Sequence, residues 1–138
     1  MSTSLGADDG RGTRELVHFV TQETRFSLIA NVVQHPDGLP SMYELEQLNP
    51  SVSEATVYKH VQKLIEVGIL EEVSLAEDER QQGYPWKFYR LTDGGREFLD
   101  DHNLLAAEET LKLIYESISD KSEKMVRYES APRPDVDA

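Results

Sequence analysis

Five side chains able to hydrogen-bond or carry positive charge are spaced along one face of a single segment: Ser53, Thr56, Tyr58, Lys59 and Lys63, within PSVSEATVYKHVQKLIEVGIL (residues 50–70). Hydroxyl groups near a helix start can reach base edges or phosphates. A tyrosine can stack on a sugar, and two lysines four residues apart suit backbone phosphates. This is the chemistry of recognition rather than of bond breaking. A second set lies downstream. Arg80, Gln81 and Gln82 are suited to a minor groove, whose negative potential attracts arginine, with Lys87 and Arg90 as further phosphate contacts.

These side chains need a helix to hold them. Val57, Val61, Leu64 and Ile65 recur at helical spacing behind the polar face, and Gly68 stands where a left-handed helix stop is wanted. Ser51 and Glu54 have the S-x-x-E spacing of a capping box, which predicts a helix opening at Ser51. Upstream, Ser41 is the predicted N-cap of a short helix marked by Met42, Leu45 and Leu48, and Asn49-Pro50 is a turn signal. Glu23 to Gln34 forms another amphipathic helix through Phe26, Ile29 and Val33, ended by His35-Pro36-Asp37-Gly38. Ile69–Leu75 and Trp86–Leu91 read as strands around the polar tip Ala76–Pro85; Trp86, Phe88 and Tyr89 alternate, which sends some of them into the core. Thr92-Asp93-Gly94-Gly95 opens a further helix. The order is mostly α with a small β-hairpin: a winged helix-turn-helix with an added C-terminal dimerisation helix.

That last helix is predicted from Leu104, Ala107, Leu111, Ile114 and Ile118, whose alternating three- and four-residue steps make a coiled-coil seam. Leu16, Phe19 and Val20, in the apolar segment 16–20, are expected to complete a two-fold interface. Such a dimer sets two recognition helices one DNA turn apart. The expected organisation is a flexible tail over residues 1–13, the winged domain over 14–100, the dimerisation helix over 101–118 and a second flexible tail over 119–138.

Composition sets the environment. The chain has 138 residues, 38% hydrophobic, and lacks cysteine, which excludes disulfides and thiolate chemistry. No apolar run approaches the roughly 18 residues of a membrane span, and the N-terminal residues lack a signal-peptide core, so a cytoplasmic protein is expected. Its net charge of −12 opposes binding to phosphate. One reading is a winged helix that serves as a protein–protein interaction module and never meets DNA. The other is adaptation to high salt, where the Debye length shrinks to about 3 Å at 1 M and contacts at hydrogen-bond range decide binding. The distribution favours the second: acids crowd the N-terminus, the wing tip and the C-terminal segment, whereas Lys59, His60 and Lys63 gather on the recognition helix. Glu54 and Glu77 to Glu79 are then candidates for taking up cations at a DNA interface.

The runs ETRFSLIANVV, SEATVYKHVQKLIEVGIL and WKFYRLTDGGREFL resemble archaeal PadR-like and ArsR-like winged-helix transcription regulators, in particular haloarchaeal oxidative-stress regulators of the RosR type. The resemblance covers about Arg14 to Ile118. It implies transcriptional control of stress genes, and the dimer predicted from the apolar seam implies a pseudo-palindromic operator. Partners are then double-stranded DNA and a second copy of the chain, with no membrane and no cofactor.

Enzymatic motifs do not compete with this reading. The sequence has no phosphate loop, no G-x-S-x-G elbow and no H-E-x-x-H helix. Asp100, Asp101 and His102 near Glu97 could be read as a metal site, but they point to different sides of a helix.

Overall fold

The computed structural model describes residues 10–104 and 121–136. Its elements are helices α1 (Gly10–Val20), α2 (Glu23–Gln34), α3 (Met42–Gln47) and α4 (Glu54–Glu66), strands β1 (Leu70–Ser74) and β2 (Lys87–Leu91), then helices α5 (Asp93–Asp101) and α6 (Glu123–Glu129). A single 3₁₀ turn, Glu77–Glu79, stands between the strands. The chain is a winged helix-turn-helix: α2, α3 and α4 form the trihelical core and β1–β2 the wing.

The predicted apolar faces converge, except that Phe26 of α2 stays half-buried while Leu28 and Val32 join Ile29 and Val33 in the core. Leu28, Ile29, Val32 and Val33 of α2 meet Leu45 of α3, Val57, Val61 and Leu64 of α4, and Ile69, Leu70, Tyr89, Phe98 and Leu99. Burying a side chain of this size stabilises by about 1.5–3 kcal/mol. Leu39, Leu75 and Phe88 make a smaller cluster beneath the wing, covered by Trp86 and by Val136 from the C-terminal segment. The strands pair antiparallel, from Leu70 opposite Leu91 to Ser74 opposite Lys87. Gly68 takes φ +84°, the left-handed conformation that turns α4 into β1. At Gly95 the constraint is closeness: a Cβ there would lie 2.5 Å from the Ile69 carbonyl oxygen. The absence of a side chain lets α5 seat against the α4–β1 corner, where Thr92 caps the helix through Gly95 N–H.

Two expectations change. The recognition helix opens at Glu54, and Ser53 rather than Ser51 caps it, with its Oγ accepting from Thr56 N–H at 3.1 Å. Ser51 lies in the preceding turn, closed by Val52 N–H donating to Asn49 O, so Glu54 becomes the first helical residue and cannot reach back as a third-position box partner. The capping box forms instead at Ser41 and Glu44, which share the same spacing.

The second change concerns residues 119–138, expected as a flexible tail. Among the described residues of that segment, α6 packs along α3 through Tyr128 on Tyr43, ring centroids 5.0 Å apart, with Met125 buried. Arg133 anchors it. Its guanidinium donates to the carbonyls of Leu39, Tyr128, Glu129 and Ala131 and, at 2.7 Å, to Glu44 Oε1. Glu44 is fully buried, and its other oxygen accepts from His35 Nε2 at 2.8 Å, while His35 Nδ1 accepts from Asp37 N–H. Burial pushes the Glu44 carboxyl up, but His35, Arg133 and Ser41 N–H outweigh it and hold it below the ordinary glutamate value.

A buried carboxylate stripped of one partner is costly, so Arg133→Ala is expected to destabilise the fold by about 3 kcal/mol in chemical denaturation. Because the folded pKa lies below the unfolded one, Glu44 contributes stability above the unfolded value of 4.5 and loses it as pH falls through the folded value. A pH series of denaturation midpoints would show Glu44→Gln less stable at neutral pH and with a flatter acid limb than the parent.

Candidate nucleic-acid interface

Helix α4 is pinned from behind and open in front. Val57, Val61 and Leu64 are buried, whereas Ser53 and Lys59 are exposed and Tyr58 retains 55% exposure, unusual for a large ring. Thr56 and Lys63 are half-buried, and the Ser53 and Thr56 hydroxyls bond one another at 2.9 Å. The turn before α4 is held by Asn49, whose amide donates to Leu45 O and Asn31 Oδ1 while its oxygen accepts from Ser27. The orientation of α4 relative to α2 and α3 is therefore fixed by a buried hydrogen-bonded node, not by packing alone.

His60, which the sequence places among the lysines, is part of the support. Arg25 donates from Nε to Phe19 O at 2.7 Å, lies over the Phe19 ring and approaches His60 Nδ1 at 3.3 Å. An arginine can only donate, so His60 Nδ1 accepts and the ring carries its proton on Nε2. Desolvation, then Arg25, Lys63 and Lys59, push the His60 pKa down, which favours the neutral ring beside three cationic side chains.

The wing adds Arg80, Gln81, Gln82 and Lys87, all exposed. Arg80 donates to Leu75 O and lies 3.7 Å from the Trp86 ring centroid, and Lys87 lies 4.9 Å from the same ring. Trp86 is thus a post for two cations at the wing edge. Arg90 is not with them. It pairs with Glu71 at 2.6 Å across the hairpin and lines a cavity with Val32, Val33 and Arg96 on the side of α5. Phe88 and Tyr89 are core, as alternation required of some of these aromatics; Tyr89 donates to Glu72, and burial with that carboxylate pushes the phenol up to about 12.

Of the apolar set expected at a two-fold interface, Val20 is fully buried in the chain's own core, drawn in where α1 meets α2. Leu16, Phe19 and Leu104 pack against that core and keep part of their surface exposed. Ala107, Leu111, Ile114 and Ile118 lie outside the described residues.

Sequence reasoning missed Arg25, Glu44 and Arg133, which position the site without belonging to it. Ser41-x-x-Glu44 was a legible capping spacing; no local pattern marks Arg133, 89 residues from its carboxylate.

The trihelical core with its exposed helix face and hairpin wing places the protein in the winged helix-turn-helix class. Consistent with that, the chain is similar to a solved protein with a GntR superfamily winged-helix-turn-helix domain from Halomicrobium mukohataei, with 28% sequence identity, a TM-score of 0.81, and coverage of 91% of this chain and 87% of that one. No family model and no curated protein matches the chain. No described helix is long and apolar enough to cross a membrane.

Removing the Arg25 charge and contact should return His60 toward its ordinary value of 6.5. An NMR titration of the His60 ring in Arg25→Ala is expected to show a higher midpoint than in the parent; an unchanged midpoint would mean the guanidinium does not set the ring's protonation.

Proposed function

We propose that the chain is a sequence-specific, DNA-binding transcription regulator that acts as a homodimer on a pseudo-palindromic operator in the cytoplasm. The observation that carries this reading is the exposed face of α4, with Ser53, Tyr58 and Lys59 presented beside a wing edge bearing Arg80, Gln81, Gln82 and Lys87. A helix backed by core and fronted by donors suits the major groove, and the wing suits the adjacent minor groove. The resemblance to RosR-type regulators supports a role in oxidative-stress control. With no cysteine in the chain, such a response does not run through a disulfide of its own.

The −12 charge belongs to the same proposal as adaptation to high salt, a reading supported by the likeness to a haloarchaeal protein. Desolvation and the charge of Glu54, in the first turn of α4, raise the pKa of Glu46 on α3, with Lys124 opposing. Two carboxylates in that relation, and the wing acids Glu77, Asp78 and Glu79, favour uptake of cations when phosphates approach. The dimer is assigned to the seam of Leu104, Ala107, Leu111, Ile114 and Ile118, with Leu16 and Phe19 beside it.

Ordinary counterion release makes log K fall with log salt by about 0.9 per neutralised phosphate. Fluorescence-anisotropy titrations of promoter DNA from low to multi-molar KCl should instead give a shallow or rising dependence in the high-salt range. A steep fall throughout would remove cation uptake, and a folded dimer without specific binding at any salt would leave the protein-interaction module as the function. For the seam, Leu111→Glu is expected to yield monomers by light scattering and to abolish tight operator binding; an intact dimer would move the interface elsewhere.

A further inference from the structure

The C-terminal segment that contains α6 is basic in an acidic chain. From Lys121 to Arg133 it carries Lys121, Lys124, Arg127 and Arg133 against Glu123 and Glu129. Two of these cations are used internally: Arg133 is sunk into Glu44, and Lys121 pairs with Glu129 at 2.9 Å. Lys124 and Arg127 are exposed. Each is propped on aromatic rings of another element. Lys124 Nζ lies 4.4 Å from the Tyr43 ring centroid on α3, and the Arg127 guanidinium lies 6.0 Å from that of Tyr84 at the wing tip. Tyr128 sits between them, within cation–π range of both.

Contacts therefore run from α3, the first helix of the helix-turn-helix, to the wing tip. On the wing, Arg80 and Lys87 flank Trp86. Trp86, Tyr84, Pro85 and Lys87 share with Met42, Tyr43 and Tyr128 an open groove of about 310 Å³. Tyr43 stands on α3, which packs against both the recognition helix and the returning wing strand. Helix α6 thus sits on α3 and beside the wing tip. A phosphate backbone lying along α3 and the wing would pass it.

We infer that α6 is a third DNA-contacting element, in which Lys124 and Arg127 engage backbone phosphates between the recognition helix and the wing. This rests on the DNA-binding reading above. The aromatic props give the ammonium and guanidinium groups fixed positions, which lowers the ordering cost of a phosphate contact and lets short-range bonding act when long-range attraction is screened. Because phosphates carry no sequence information, the contribution is to affinity and register and not to base choice. Within residues 121–133, Glu123 and Glu129 are outnumbered by Lys121, Lys124, Arg127 and Arg133, so this segment is net cationic in a chain of net charge −12.

The test compares the full-length parent with the double variant Lys124→Gln/Arg127→Gln. Two duplexes are titrated over a KCl series: one enriched from a random library by the parent, and one of unrelated sequence. The variant should bind about tenfold more weakly to both, with the slope of log K against log[KCl] made less negative by about 2. Hydroxyl-radical footprinting should lose protection at the phosphates between the major-groove and minor-groove contacts, and Lys124→Arg/Arg127→Lys should restore binding. Both side chains are exposed, so an unchanged melting temperature is expected and would exclude unseating of α6 as the cause. If the parent binds and the double variant binds equally with the same footprint, α6 is not a DNA element. Loss confined to the enriched duplex would also overturn the inference. A parent that binds neither duplex at any salt would overturn the DNA-binding reading, and this inference with it.

Discussion

The buried carboxylate of Glu44 is the constraint on which this structure turns. A fully desolvated glutamate is tolerable only when every lone pair is engaged, and here three elements are recruited to do so. Ser41, at the start of α3, closes the capping box; His35, from the end of α2, supplies Oε2 with a donor; Arg133, from the far end of the chain, supplies Oε1. The first two fix the angle between the first two helices of the trihelical core. The third carries α6 back onto α3 and brings Val136 over the wing cluster. One ionised group thereby joins the helix-turn-helix, the wing and the C-terminal segment.

The recognition surface inherits its shape from that arrangement and from two further nodes. Asn49 ties the turn before α4 to α2, and Arg25 bridges α1 and α4 through Phe19 and His60. None of these residues lies on the exposed face of α4. They hold the helix so that Tyr58 and Lys59 project outward while Val57, Val61 and Leu64 stay buried. Placing the polar bonding behind the helix leaves its front free for a partner. It also means that changes far from the exposed face act on recognition through geometry.

Charge and placement resolve the tension between an acidic chain and a proposed acidic ligand. Exposed cations are few, and those on the wing and α6 are propped on Trp86, Tyr84, Tyr128 and Tyr43 instead of being free on long tethers. A positioned cation retains its short-range value in concentrated salt, whereas a diffuse positive field does not. Arg90 shows the converse. It belongs to the same strand as Lys87, but its position opposite Glu71 commits it to an ion pair within the hairpin.

What was legible in the sequence was local. Helical spacing marked the buried faces of α2 and α4, proline and glycine marked the breaks, and alternation marked the wing strands; that Phe88 and Tyr89, adjacent and on opposite faces of β2, are both buried follows from two separate clusters, one holding each. Those signals are periodic because each element must bury one side, so they survive without knowledge of the partner. Capping was half legible: Ser41 and Ser51 carry the same S-x-x-E spacing, and only the turn at Asn49–Val52 decided that the second would be passed over in favour of Ser53. The tertiary structure alone decided the roles of Glu44, Arg133 and Arg25, the engagement of Arg90, the inward turn of Val20 and the seating of α6. Each depends on a partner from a distant or separately folded part of the chain. A charged side chain reads as solvated surface until folding supplies the opposite charge that makes its burial possible.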